Sequence, residues 1–111
     1  SDLRLKENIN DSDLGLEFIK KLRPVSYTMK QGNGIDYGFI AQEVESAIGK
    51  NTNIVLTDNT EFGMKTLRYA SLISPLTKAI QEQQEVIEEY KKTVEEYEKR
   101  VEYLESLKNK N

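Results

Sequence analysis

Ser1 and Lys6 stand five residues apart in the run Ser1-Asp2-Leu3-Arg4-Leu5-Lys6-Glu7-Asn8-Ile9, in a chain without histidine or cysteine. Nucleophilic chemistry in such a chain needs a hydroxyl to attack and a base other than imidazole to take its proton. A lysine amine serves as that base when burial or neighbouring cations lower its pKa toward neutrality. Arg4 is the candidate cation, and Leu3, Leu5 and Ile9 are the candidate dry walls. A spacing of five is poor for contact along a helix, so the pair requires a backbone that turns and folds Lys6 back toward Ser1. A serine that cleaves the bond preceding itself becomes residue 1 of its own product, so the chain is expected to be such a product. The bland reading makes Ser1 a boundary residue and Lys6 a solvated lysine. A further reading uses the Ser1 amine as its own base, but nothing else in the sequence suggests the layered α/β fold such hydrolases have.

The elements that must hold this pair come from a chain of 111 residues, 32% charged and 37% hydrophobic. That length suits one small domain plus one long element. A net charge of −3 gives no electrostatic case for nucleic acid or an anionic membrane surface. No apolar run approaches the roughly 18 residues of a transmembrane helix. Without His and Cys only oxygen ligands remain for a metal, and no acidic spacing resembles a calcium loop, so no cofactor is expected.

The character of the sequence changes near Tyr69. Before it, turn signals alternate with short mixed patterns; after it, Pro75 is the one proline and glycine is absent. This predicts an α+β head over residues 1–68 and a long C-terminal helix over residues 69–111. In the head, Asp11 or Ser12 is expected to cap a helix carrying Leu14, Phe18, Ile19 and Leu22, ended by Pro24. Val25 to Met29 and Asp36 to Ile40 read as strands of a hairpin around the turn Gln31-Gly32-Asn33-Gly34. Gln42 to Ile48 suggests a short helix stopped at Gly49. Ile54 to Thr57 and Thr60 to Leu67 read as two further strands, with Gly63 as a bulge or bend in the second.

The tail carries a heptad register of about five heptads. Its a and d positions are Ile73, Leu76, Ile80, Gln83, Ile87, Tyr90, Val94, Tyr97, Val101 and Leu104. A strict seven-residue repeat implies a left-handed supercoil, and the helix would run roughly 55–60 Å. A head of this size cannot cover such a stripe, so the chain is expected to be a homo-oligomer. A parallel arrangement is favoured, because Arg100 at a g position can reach Glu105 at e of a neighbour. Ile and Val at a favour few strands, whereas Gln83, Tyr90 and Tyr97 at d suit a wider core; periodicity alone leaves dimer and trimer open. Pro75 is tolerated if it lies in the first turn, with Ser71 or Ser74 near the cap.

Gln42 and Glu43 open the helix that follows Gly38-Phe39-Ile40-Ala41 and are candidates for supporting the Ser1 and Lys6 site. The plainer reading of Glu43 is an interaction with the helix dipole. Tyr90 and Tyr97 read as core layers, and Gly32-Asn33-Gly34 as a turn too short for a phosphate loop.

Four segments in order carry a family resemblance. They are the opening run Ser1 to Ile9, Phe18-Ile19-Lys20-Lys21-Leu22-Arg23-Pro24-Val25-Ser26-Tyr27, Gly38-Phe39-Ile40-Ala41-Gln42-Glu43-Val44, and Tyr69 to Glu82. The chain resembles the C-terminal intramolecular chaperone auto-processing domain of phage tailspikes, tail fibres, neck appendages and endosialidases. The resemblance implies a parallel trimeric coiled coil. It also implies self-cleavage before Ser1, with Ser1 as nucleophile and Lys6 as general base, in a single turnover. The implied partners are two further copies and the β-rich upstream part of the precursor, with no nucleic acid and no membrane. The implied setting is the host cytoplasm during phage assembly, with release of the domain from the mature virion protein. The alternative is a purely structural trimerisation module without chemistry.

Overall fold

The structure, a computed structural model, describes residues 1–110. The chain divides into two compact units, Ser1–Ala79 and Ile80–Asn111. The first is a mixed α+β unit. After a single 3-10 turn, Leu3–Leu5, come helix α1 (Leu16–Lys21), strands β1 (Val25–Tyr27) and β2 (Asp36–Gly38), and helix α2 (Ala41–Ile48). Strands β3 (Val55–Thr57) and β4 (Lys65–Leu67) follow, then a 3-10 turn at Tyr69–Leu72 and the long helix α3 (Ile73–Lys108).

The strands form two separate antiparallel hairpins, β1 with β2 and β3 with β4. Ser26 faces Tyr37 in the first and Leu56 faces Thr66 in the second. Helix α2 packs against α1 and against both strands of the second hairpin. Its Val44, 1% exposed, meets Phe18, Ile54 and Leu72 in the core, with Leu14, Leu22, Phe39 and Leu67 packed around them. Ionic clamps join the same elements at the surface. The Arg23 guanidinium grips both oxygens of Glu43, and Lys65 Nζ donates to Glu45 (2.9 Å) and to Thr57 Oγ1 (2.8 Å).

Several boundaries differ from expectation for local reasons. Helix α1 begins at Leu16, with Gly15 at its N-cap and no side-chain cap. The hydroxyl of Ser12 donates instead to the Leu14 carbonyl (2.8 Å), so neither Asp11 nor Ser12 caps the helix. Its end is as the sequence predicts: Leu22 is already extended, ahead of the residue that Pro24 restricts. Both strands of the first hairpin are shorter than expected, ending at Tyr27 and Gly38. The stretch 60–64 is a loop rather than strand. Asp58 accepts from the Thr60 amide and hydroxyl and from the Met64 amide, closing a turn in which Gly63 takes a positive φ of 57°. Helix α2 stops at Gly49, in the left-handed conformation, whose amide donates to Glu45 O (3.1 Å).

Helix α3 starts directly from the Tyr69–Leu72 turn. Pro75 sits in its first turn, where a missing N–H breaks no helical bond. Leu72, Pro75 and Ala79 are buried, while Ile73, Leu76 and Ile80 are exposed. The second unit is the remainder of α3, and its a/d side chains, including Ile87, Tyr90, Val94, Tyr97, Val101 and Leu104, are all exposed in the single chain. Helix α3 is long but not apolar, and no helix among the described residues is long and apolar enough to cross a membrane.

Candidate functional site

The Leu3–Leu5 turn lies between Ser1 and Lys6. Asp2 builds the turn. Its Oδ1 accepts from the Arg4 amide (2.8 Å), and its carboxylate also takes the Arg4 guanidinium, Nη2 to Oδ2 at 2.9 Å. The Leu5 amide donates to Asp2 O and the Lys6 amide to Leu3 O, both at 3.1 Å. Hydrogen bonding to Arg4 holds the Asp2 carboxyl below its ordinary range. Two residues after Lys6, Asn8 takes a positive φ of 54°, a conformation that asparagine tolerates better than most, and bends the chain again.

The chemistry expected of Ser1 and Lys6 depends on their surroundings, and those are open in one chain. Both residues are exposed, and neither makes a side-chain hydrogen bond among the described residues. Leu3, Leu5 and Ile9, the expected dry walls, are 72%, 85% and 62% exposed. Arg4 is occupied by Asp2, so its charge is matched locally. Glu43 lies in the first turn of α2, bound to Arg23, which lowers its carboxyl pKa by hydrogen bonding and charge. It ties the end of α1 to the start of α2 in the single chain.

Gln42 lies elsewhere. It lines a cleft of about 490 Å³ between the two hairpins, whose walls include Tyr27, Met29, Phe39, Phe62, Met64 and Tyr69; Ser1 and Lys6 do not line it. Tyr69 is the functional-looking residue that sequence reasoning passed over. Its hydroxyl accepts from the Phe39 amide (3.2 Å), and its ring stacks on Phe39 at 6.3 Å. It lies so close to Gly38 that a Cβ there would stand 2.4 Å from the hydroxyl oxygen. The Gly38-Phe39 pair thus accommodates the aromatic residue that opens the turn into α3. The available signal is a glycine followed by an aromatic residue, with a tyrosine placed just before the long helix.

Residues 1–53 match the family model described as the chaperone of endosialidase. No curated protein matches the chain. The match covers α1, β1, β2 and α2 of the α+β unit, and the class it points to is that of a chaperone domain. Over residues 1–53 the chain is similar to the chaperone-of-endosialidase family, whose name also denotes a peptidase. The matched segment holds Ser1, Lys6, Arg23, Gly38 and Glu43; Tyr69 and α3 lie beyond it.

Proposed function

We propose that this chain is a trimeric intramolecular chaperone that aligns and helps fold a β-rich segment upstream of itself, then releases itself by cutting the bond before Ser1. The family match over residues 1–53 carries this reading. The exposed heptad stripe of α3 supports the trimer. That stripe is widened at the g positions by Val86, Leu107 and Thr93, whose hydroxyl is spent on the Glu89 carbonyl (3.1 Å). An apolar face that extends from a and d onto g at Val86 and Leu107 suits more than two strands, although Arg100 interrupts it at g.

In the cleavage step Ser1 Oγ adds to the carbonyl carbon of the preceding residue while the neutral Lys6 amine takes the hydroxyl proton. The carbon–nitrogen bond then breaks, and the proton passes to the departing Ser1 amine. Water hydrolyses the resulting ester, freeing an upstream carboxylate and restoring the Ser1 hydroxyl. The exposed walls around Ser1 and Lys6 in one chain support a site that neighbouring copies complete. Interwound β-structure has high contact order, and three tethered strands find one another faster than free ones. On this reading the chain acts in the host cytoplasm during phage assembly.

The openness of the same surroundings also favours a second reading, a trimerisation module without chemistry. A denaturing gel of a precursor carrying native residues upstream of Ser1 separates the two. The parent is expected to split into two bands, with Ser1 leading the smaller, while Ser1→Ala and Lys6→Ala stay whole. A parent that stays whole, or variants that split as it does, leaves only the structural module.

A further inference from the structure

We infer that Gln83 is the residue that fixes the alignment of the three α3 helices, an inference that rests on the trimer reading above. The a and d side chains on either side of it, Ile73, Leu76, Ile80 and Ile87, are all apolar, and Gln83 is the amide among them. Gln83 is exposed and makes no side-chain hydrogen bond among the described residues. Its neighbour Gln84, at an e position, behaves differently: its amide donates to Glu88 on the same helix (3.3 Å). One glutamine is satisfied within its own chain, and the other presents a free amide in the apolar stripe.

A primary amide carries two N–H donors and one carbonyl acceptor. When three copies lie parallel and level, their Gln83 amides meet around the axis, and each donates to the next in a closed ring. No other alignment closes that ring. A slide by one heptad sets each Gln83 against Leu76 or Tyr90 of its neighbours. An antiparallel copy sets it near the Tyr97 and Val101 layers. In each case the ring of amides is broken and amide groups face aliphatic or phenol side chains that cannot match it group for group, which is the penalty that lets one polar core layer select one register. Charge adds to this selection, because Arg100, whose guanidinium lies over Tyr97 of its own chain (5.7 Å), stands at g, within reach of Glu105 at e of a neighbour in the parallel, level arrangement. The stripe itself would bind more tightly with an aliphatic side chain at this position. Gln83 therefore trades affinity for alignment, which suits a domain whose proposed task is to set three chains level.

Pulsed electron spin resonance on the full chain tests this. The native sequence lacks cysteine, so Lys99→Cys, at an exposed outer position, takes a single spin label. Light scattering should give a trimer, and the label should report one narrow distance. Gln83→Ile is expected to remain oligomeric and to melt at higher temperature. It should add distances that one register cannot give, from copies displaced by about 10 Å along the axis or reversed. Gln83→Asn, which keeps an amide, should retain the narrow distribution more nearly than Gln83→Ile. A Gln83→Ile trimer with the same single distance as the parent overturns the alignment role and leaves the trimer standing. A parent that is monomeric overturns both.

Discussion

At the scale of single residues, the tightest constraint is the approach of Tyr69 to Gly38. The phenol oxygen occupies the volume that any side chain at position 38 would need. Gly38→Ala must push Tyr69 away and break the bond from the Phe39 amide, with an expected cost of about 1–3 kcal/mol. Tyr69→Phe removes only the hydroxyl, so about 0.5–1.5 kcal/mol is expected. Hydrogen exchange measured residue by residue distinguishes them. Tyr69→Phe should expose the Phe39 amide to faster exchange, whereas Gly38→Ala should also loosen the start of α3. Equal, unchanged exchange in both variants would remove the joint. The sequence placed Gly38 in the middle of a strand but could not reveal its partner, thirty-one residues away at Tyr69, because a close contact across the fold leaves no local pattern.

At the scale of elements, what sequence pattern predicted well were features decided within a few residues. Pro24 stopped α1 and Gly49 stopped α2 because each acts on its own backbone. The failures came where side chains chose between competing backbone partners. Ser12 bonded a carbonyl instead of capping α1, and Asp58 drew the amides of Thr60 and Met64 into a loop where strand was expected. Acid should act on these same contacts. The Asp58 carboxyl is held below its ordinary 3.8 chiefly by Thr60, and that of Glu43 below 4.5 chiefly by Arg23. For groups depressed on folding, the stabilising contribution is complete above the unfolded pKa and lost as pH falls through the lower folded value. Stability of the Ser1–Ala79 unit should thus be level above about pH 5 and decline below about pH 4. The decline should shrink in Asp58→Asn. A variant whose acid limb coincides with the parent's would show that this loop does not report on folding.

At the scale of the whole molecule, the heptad stripe is legible in sequence because its period belongs to the chain itself, whereas the surroundings of Ser1 and Lys6 are not. The dry walls read from Leu3, Leu5 and Ile9 depend on what packs against them, and in one chain all three stay largely exposed. On the proposed reading this makes assembly the natural control on cleavage, because the dry surroundings that a lysine base needs would form only when neighbouring copies cover these side chains. The coil can be broken without touching the site. Ile87→Asp with Val94→Asp places carboxylates at successive a positions of α3, both exposed in the single chain, so the lone helix should tolerate them. Three carboxylates per layer would face one another in an apolar core, and the trimer should dissociate. In a precursor carrying native upstream sequence, that double variant should sediment as a monomer and fail to cleave, while the parent is both trimeric and processed. Restoring association through an unrelated trimeric fusion at the C-terminus should recover cleavage, because the lost element would be proximity and not the chemistry at Ser1. A monomeric double variant that cleaves at the parent's rate would place the whole active arrangement within one chain and end the case for completion by a neighbour.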